Sequence, residues 1–303
     1  MVDPHLQEIL ICPACHGELA FGDCEVTCQG CGMCYPVEGE IPIMTCSASN
    51  DGFGHDLYRA QLHGNFFEKV FHANRIQTLT HLIACELYLG PGCRALDVGC
   101  NTGPLLIPLR RQGFDVVGID ISQDDVLQAA RYLRERGLPD GALSVADGTR
   151  LPFRDHSFDL ILLVDILEHT DRPEQIVSEA KRLLVPGGTA VATVPWAYHP
   201  YVRFTWLRKL LSSRKTIDEH PDAPFKLEML QSLFPGFEPL LVRLVFHWVC
   251  ILGVYRSPVI EQPLAGEVLR IWRSAASEVE QPGAVSIARG GATAPGGTAV
   301  GRA

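Results

Sequence analysis

The chain is short of positive charge and of long apolar runs. Its 303 residues carry 26 Lys and Arg against 35 Asp and Glu, a formal net charge of −9. That balance argues against a protein that binds nucleic acid mainly by neutralising phosphates. The longest apolar stretch, 239–254, is interrupted by Arg243 and His247, so no membrane span is expected. Residues 1–8 lack the basic segment of an export signal. These absences favour a cytoplasmic protein that acts on small molecules.

The 11 cysteines are unevenly distributed, and seven of them lie in the first 46 residues. Four of these form two Cys-x-x-Cys pairs separated by twelve residues, Cys12 with Cys15 and Cys28 with Cys31. Four thiolates at this spacing predict a tetrahedral structural zinc site. Ordinary core packing is a poor explanation, because so short a segment has little interior. Cys24 and Cys34 are rival ligands, and iron is the alternative metal.

Composition divides the chain into three regions. Residues 1–47 form the cysteine-rich segment, residues 48–257 alternate apolar runs with amphipathic segments, and residues 258–303 form a C-terminal extension. After about residue 277 the extension is rich in Gly, Ala, Pro and Thr, a composition that predicts disorder. The small polar segment 47–52 is the expected linker between the first two regions.

The middle region alternates apolar runs with helical patterns. Five runs suit strands buried on both faces: 94–98, 115–119, 143–145, 160–164 and 189–194. Helical patterns lie between them at 103–112, 123–136 and 173–184. Two further strands, 238–246 and 248–257, are too close in sequence for a crossover helix and predict an antiparallel hairpin. The order predicts an α/β fold with a doubly wound, seven-stranded, mostly parallel sheet.

Glycines and acids follow the predicted strands. In the turn 97–103, Gly99 and Gly103 let the backbone approach a ligand. Acids come at or after the ends of the other strands, namely Asp120, Asp147 before Gly148, and Asp165. Ligands of open α/β sheets bind beyond the carboxyl ends of the strands, so these acids are expected to meet at one cleft. A carboxylate at position 120 can accept both hydroxyls of a ribose.

These segments resemble the class I S-adenosylmethionine-dependent methyltransferases. The resemblance runs from about residue 53 to 255 and rests on ALDVGCNTG (95–103), GIDIS (118–122), DGTRLPF (147–153), FD through DILEH (158–169) and RLLVPGG (182–188). It implies a Rossmann-like methyltransferase fold and S-adenosylmethionine as cofactor. A nicotinamide enzyme is the alternative for such a sheet, but the phosphate-binding Gly-x-Gly-x-x-Gly is absent.

The resemblance also implies roles for individual residues. Gly99 and Gly103 would border the methionine part of the cofactor, with Asp97 near its amino group. Asp120 would hold the ribose, Ile121 would pack on the adenine, and Asp147 would accept from the adenine amino group. The predicted cofactor-binding set is completed by Asn101, Gly148 and Asp165. Glycine is usual in the family where this chain has Asn101, a difference that bears on turn geometry more than on cofactor identity.

The cysteine-rich segment is similar to the zinc ribbons of the tRNA-methyltransferase-activator type, on CGMCYPV (31–37) followed by GEIP (39–42). The resemblance favours Cys31 over Cys34 as a ligand and raises partner or RNA binding as a role. Residues 1–50 hold seven acids and no Lys or Arg, so phosphate binding by this ribbon is not expected. Stabilising the enzyme, covering the mouth of its active site and self-association stay open as roles.

Methyl transfer is an in-line displacement from a sulfonium, so a base is needed only where the acceptor must lose a proton. His169 is the first candidate, because the ordinary pKa of histidine lies near neutrality; an orienting role for its Leu-Glu-His turn is the alternative. His220 is the second candidate. Catalytic magnesium is not expected, since Asp165 and Glu168 provide only part of a carboxylate cluster.

The sequence therefore predicts methyl transfer to a small-molecule nucleophile, with the hydroxyl oxygen of a specialised metabolite as first choice. The aromatic segment 195–201 lies on the usual acceptor side, and the basic amphipathic stretch 203–215 follows as a lid, a surface-binding helix or an ordinary packed helix. An rRNA or tRNA base methyltransferase, which zinc-ribbon fusions also resemble, and a non-enzymatic partner-binding scaffold are the alternatives. Nucleic acid is the less expected partner, and a homodimer stays open.

Overall fold

The structure, a computed structural model, describes residues 1–45, 66–139, 142–197, 225–245 and 250–259. Several predicted features lie outside these ranges: the linker 47–52, the segment 198–201, the basic stretch 203–215, His220 and the chain beyond Val259. Across the described ranges, each helix is too short or too polar to cross a membrane.

The N-terminal residues build a small antiparallel sheet. Helix α1 (Pro4–Ile9) comes first, and the Asp3 side chain caps it by accepting from the backbone N–H groups of His5 and Leu6. Four strands follow and pair in sequence order: β1 (Leu19–Phe21), β2 (Glu25–Cys28), β3 (Cys34–Glu38) and β4 (Ile41–Pro42). Residues 1–45, which contain these elements, are called the ribbon below.

The central sheet has seven strands in the order β10-β11-β9-β8-β5-β6-β7. Their bounds are β5 (Arg94–Val98), β6 (Asp115–Asp120), β7 (Leu143–Val145), β8 (Phe158–Val164), β9 (Leu184–Pro195), β10 (Glu238–Val245) and β11 (Cys250–Arg256). Strands β5 to β9 pair in parallel, whereas β10 and β11 form an antiparallel hairpin that joins the sheet through β9. The predicted fold class is confirmed.

Helices connect the strands and cover the sheet. Their bounds are α2 (Phe66–His81), α3 (Leu106–Arg111), α4 (Gln123–Glu135), α5 (Pro173–Leu183) and α6 (Leu227–Ser232), with single turns at Leu82–Glu86 and Leu167–His169. Helix α4 begins after Ser122, whose hydroxyl accepts from the backbone N–H of Asp125 at 3.4 Å. Its buried residues are Asp125, Val126, Ala129, Ala130 and Leu133, mostly spaced three or four apart, as expected for one helix face on a sheet.

Two predicted boundaries are wrong by three residues or more, each for a local reason. The helix predicted at 103–112 begins at Leu106, because Gly103 has φ of 80° and a right-handed helix cannot include that conformation. Strand β9 begins at Leu184, five residues earlier than predicted. Its first half contains a Pro-Gly-Gly sequence that is typical of a loop.

The ribbon packs on the β7 side of the central sheet. Isolated bridges join Leu10 to Phe153 and Ile43 to Val145, and buried residues of the ribbon share one apolar core with those of the sheet. Residues Met1–Val259 accordingly form one compact unit. The division at residue 47 rests on composition and stays a prediction.

Candidate active site

The turn after β5 brings the backbone close to its neighbours. Gly99, Asn101 and Gly103 all have positive φ, at 76°, 50° and 80°. The N–H groups of Gly99 and Cys100 both donate to the Ile119 carbonyl, at 2.9 and 2.8 Å, which fixes the turn on β6. A Cβ at position 99 would lie 2.9 Å from a side-chain carbon of Ile166, so only glycine fits there without displacement.

Asp120 ties this turn to the one after β6. One carboxylate oxygen accepts from the Asn101 N–H and the other from the Ser122 N–H, both at 2.9 Å. These two bonds orient the carboxylate, and each oxygen retains a further lone pair for a ligand. The next side chain, Ile121, is 40% exposed and offers an apolar surface beside the carboxylate.

Two acids lie side by side at this cleft, the buried Asp97 and the half-buried Asp120. Asp97 is 2% exposed, and within the described ranges its carboxylate has neither a hydrogen-bond donor nor a basic partner. Burial, reinforced by the charge of Asp120, raises the pKa of Asp97 to about 7. Burial also raises the pKa of Asp120 to about 6, against the opposing effect of its backbone donors. A cationic ligand would stabilise both carboxylates.

The remaining residues predicted to bind the cofactor line the same end of the sheet. One oxygen of Asp147 accepts from the N–H and the hydroxyl of Thr149, both at 2.8 Å. At Gly148, an added Cβ would meet the Val98 side chain at 3.2 Å. The Thr102 hydroxyl is buried and has no hydrogen-bond partner among the described residues. An unpaired buried hydroxyl at the glycine turn fits an anionic group such as the cofactor carboxylate.

Asp165 takes part in a separate cluster at the ends of β8 and β9. Its backbone is strained, with φ of 51°. Its carboxylate pairs with Arg75 of α2 and accepts from the Thr193 hydroxyl at 2.6 Å. Asp165 was predicted to bind the cofactor, yet its polar contacts in the described ranges are with these two side chains. Ile166, its neighbour, lies against Gly99, so the cluster borders the glycine turn.

The Leu167–His169 turn places its two ionisable residues differently. His169, the first candidate base, is exposed. Glu168 is buried, and one of its oxygens has no hydrogen-bond partner in the described part of the chain. Burial, followed by repulsion from Asp165, raises the pKa of Glu168 to about 8. Glu168 was not predicted as a base, although it directly precedes His169 in the sequence. Arg75 was not predicted as a site residue, because helix α2, which carries it, was not predicted.

The four predicted zinc ligands come together in the ribbon. The Sγ atoms of Cys12, Cys15, Cys28 and Cys31 all lie within 4.8 Å of one another. The N–H groups of Gly30 and Cys31 point at the Cys28 sulfur, at 3.3 and 3.4 Å, and these donors lower the pKa of Cys28 to about 6. A low pKa favours the thiolate that a metal requires. Against the opposing effect of backbone donors, the neighbouring sulfurs raise the pKa of Cys15 to about 12 and also raise that of Cys31, so the thiols of the cluster do not ionise independently.

The rival cysteines stand apart from this cluster. Cys24 and Cys34 are both exposed, and the Cys34 sulfur lies 3.7 Å from the hydroxyl of Thr27 and from the carbonyl of Gly32. The donor set at the cluster is therefore four sulfurs, which suits Zn²⁺ in tetrahedral geometry.

Comparison with known proteins gives a family. Residues 96–192 match the family described as "Methyltransferase domain". Demethylmenaquinone methyltransferase of Beutenbergia cavernae is 34% identical over 173 residues, which are 55% of this chain and 69% of that protein. Ubiquinone biosynthesis O-methyltransferase of Methylococcus capsulatus is 35% identical over 98 residues, 32% of this chain and 41% of that protein. Sterol 24-C-methyltransferase ERG6B of Gibberella zeae is matched over 29% of its length, at 34% identity over 36% of this chain.

Solved structures agree on the fold. Magnesium protoporphyrin IX methyltransferase from Synechocystis PCC 6803, determined with bound SAH, superposes with a TM-score of 0.52 at 18% identity, covering 64% of this chain and 88% of that chain. The PH0226 protein from Pyrococcus horikoshii OT3 gives 0.51 at 23% identity, covering 61% and 91%. The family match over residues 96–192 and the Beutenbergia cavernae relative, 34% identical over 69% of its length, establish that the chain belongs to the class I S-adenosylmethionine-dependent methyltransferases.

Proposed function

We propose that this protein transfers a methyl group from S-adenosylmethionine to a small-molecule nucleophile, with a hydroxyl oxygen as the first choice. The observation that carries the proposal is the buried carboxylate of Asp97, which has no donor or basic partner in the described ranges, with the half-buried Asp120 carboxylate at the same glycine turn. S-adenosylmethionine brings an ammonium and a sulfonium, and a buried carboxylate is stabilised by such a charge. Relatives named as O-methyltransferases of ubiquinone biosynthesis and as norajmaline N-methyltransferase support a small-molecule acceptor.

The residues present fit this cofactor. Asp97 is placed to take the ammonium group, and the unpaired Thr102 hydroxyl to donate to the carboxylate of the methionine part. Asp120, oriented by its two backbone donors, retains lone pairs for the ribose hydroxyls. Ile121 offers its exposed face to the adenine, and Asp147 keeps one oxygen free of the Thr149 contacts for the adenine amino group. When bound, the cofactor supplies an electrophilic methyl group.

The acceptor side is assigned to the cluster around Asp165. Arg75 and Thr193 hold its carboxylate in place, and Glu168 adds a buried group with pKa of about 8. A carboxyl group with that pKa accepts a proton only in its ionised form, so Glu168 could act as a base increasingly as the pH rises toward 8. Glu168 therefore joins His169 as a candidate base, and His220 remains the third.

We also propose that the ribbon binds one structural zinc ion through Cys12, Cys15, Cys28 and Cys31. The four converging sulfurs and the N–H donors at Cys28 support this assignment. The ribbon is assigned to the tRNA-methyltransferase-activator type, on the resemblance of its second cysteine pair and the Tyr-Pro that follows. Metal analysis of the purified protein is expected to give one zinc per chain, and iron in its place would overturn the assignment.

The acceptor class is tested with labelled cofactor. The full chain is incubated with methyl-labelled S-adenosylmethionine and a fractionated extract of the source cell, and label is followed into RNA, protein and small metabolites. Label in a small metabolite is expected, and its absence with Asp97→Asn shows that transfer depends on this site. Label confined to RNA would favour an RNA base methyltransferase. Cofactor binding without transfer to any fraction would favour the scaffold.

A further inference from the structure

The ribbon holds the chain segment that carries Asp147 from both ends. Before Asp147, the Met44 N–H donates to the Val145 carbonyl at 2.7 Å, and Ile43 bridges Val145 in parallel. One residue earlier, the buried Ser144 hydroxyl donates to the Pro42 carbonyl at 2.9 Å. The end of β7 is thus hydrogen-bonded to the residues that follow β4.

A second set of bonds lies after Asp147. The Ile11 N–H donates to the Pro152 carbonyl and the Arg154 N–H donates to the Ile9 carbonyl, both at 2.9 Å. Leu10, between these two ribbon residues, forms an antiparallel bridge with Phe153. Segment 145–154, which includes Asp147 and Gly148, is therefore fixed at its first residue and at its last three.

Side chains reinforce the end of the segment at residues 152–154. The guanidinium of Arg154 pairs with both carboxylate oxygens of Glu18 and donates to the Glu8 carbonyl at 3.1 Å. Leu10 and Phe153 are fully buried in a core shared by the ribbon and the sheet, and Phe153 meets Phe158 of β8 edge to face. The contact is therefore a packed interior as well as a hydrogen-bonded edge.

The ribbon also reaches the other loop on the adenine side. Gln123, which begins α4 two residues after Ile121, donates to the Glu38 carboxylate at the end of β3, at 2.5 Å. Both segments assigned to the adenine, the one with Ile121 and the one with Asp147, thus contact the ribbon.

The thiol cluster lies next to these contacts. Cys12 directly follows Ile11, and its sulfur lies 3.7 Å from that of Cys31 and 3.1 Å from the Tyr35 hydroxyl. A metal held by all four thiols would tie residues 9–15 to the turn at 28–31 and so to the ribbon sheet. Loss of the metal would release residues 9–12, the part of the ribbon that bonds to segment 152–154.

The geometry points to the metal-loaded ribbon as a positioning element for the adenine end of the cofactor site, acting through residues 9–12 and 43–44 on segment 145–154. The inference rests on the proposed function. It makes cofactor affinity depend on the thiol cluster, although no cysteine of the cluster belongs to the cofactor site. Removal of zinc weakens cofactor binding first at the adenine and ribose.

The test measures zinc content, cofactor affinity and amide exchange on the full chain. Titration calorimetry gives the Kd of S-adenosylmethionine and of S-adenosylhomocysteine for the zinc-loaded, chelator-treated and zinc-restored protein. We expect both Kd values to rise about tenfold on chelation, or about 1.4 kcal/mol, and to recover with zinc. Amide exchange is expected to quicken in peptides from 143–154 and to stay slow in β8. Cys34→Ser, in the same ribbon but outside the cluster, serves as the matched control and should change neither Kd nor exchange.

A second variant covers the case in which chelation unfolds the whole chain. Arg154→Ala leaves the four cysteines intact and removes the pairing with Glu18, so we expect full zinc content with a Kd raised several-fold. If the zinc-free protein stays folded, unchanged Kd values and unchanged amide exchange would overturn the inference. If chelation unfolds the whole chain, unchanged Kd values for Arg154→Ala would overturn it. Failure of the zinc-loaded wild type to bind either nucleoside would instead refute the proposed function.

Discussion

Cofactor affinity is expected to depend on pH through Asp97. Its carboxylate is buried, and its pKa is raised to about 7 by burial and by Asp120. Because the ionised form binds the cationic cofactor, protonation competes with binding. With this pKa, the ionised fraction falls from about 76% at pH 7.5 to about 9% at pH 6.0, so Kd should rise about eightfold as the pH falls over that range.

The raised pKa of Asp97 also makes the cofactor-free protein less stable as the pH rises, whereas cofactor binding becomes tighter. An acid whose pKa is higher in the folded protein than in the unfolded chain destabilises the fold as pH rises through the interval between the two values. The pKa of Asp97 is raised from 3.8 to about 7. Above pH 7, ionised Asp97 therefore lowers the free energy of unfolding of the cofactor-free protein by up to about 4 kcal/mol. Asp97→Asn removes this cost. We expect the variant to melt at a higher temperature than wild type at pH 8 without cofactor, yet to bind S-adenosylmethionine more weakly.

Calorimetric titration from pH 7.5 to 6.0 and thermal unfolding with and without cofactor check both effects. Asp115→Asn is the matched control, because Asp115 begins β6 at the opposite end of the sheet and pairs with Arg94 at 3.4 Å. The reasoning fails if Asp97→Asn binds the cofactor as tightly as wild type, or if its Kd keeps the same pH dependence.

Three further predictions concern the site. Glu168→Gln should abolish the ionisation near pH 8 in the pH profile of kcat, whereas His169→Gln should retain it; identical profiles for wild type and Glu168→Gln would exclude Glu168 as the base. Gly99→Ala should destabilise the protein by about 2 kcal/mol and weaken cofactor binding, because φ at this position is 76° and the Ile166 side chain occupies the space of the new methyl group. Gly137→Ala is the control: φ there is a similar 66° but the space around it is open, so the loss of stability should be smaller and cofactor binding unchanged. Arg75→Met leaves a largely buried carboxylate unpaired and should cost about 3 kcal/mol in urea unfolding; a cost near zero would show that the pair is solvated.

Uninterrupted apolar runs predicted two parallel strands to the residue, the central β5 and the terminal β7. Strands β5 and β7 have the predicted bounds, because strands buried on both faces appear as uninterrupted apolar segments between polar turns. The start of β9 was missed, since pairing of Leu184 with Phe158 continues the ladder through residues that favour loops. Helix α2 was missed as well, as its residues lack a strong apolar stripe.

Some features of the candidate site likewise follow from short sequence motifs, whereas others depend on contacts between residues far apart in the chain. The thiol cluster and the cleft acids follow from short motifs, where spacing or strand order places residues together. The pair between Arg75 and Asp165 joins residues 90 positions apart, and no local pattern specifies it. The contact of Leu10 with Phe153 likewise depends on how two separately predicted regions pack.

The bridge between Ile43 and Val145 has a consequence for self-association. Strand β7 ends the central sheet, and an uncovered edge strand exposes unpaired backbone groups to which another chain can add. The ribbon occupies part of this edge in the same molecule, which leaves β10 as the other terminal strand in the described ranges. A homodimer built by joining two central sheets would therefore form through β10 against β10. A charged or proline substitution on β10 should dissociate such a dimer, whereas substitutions at the β7 edge should leave the association unchanged.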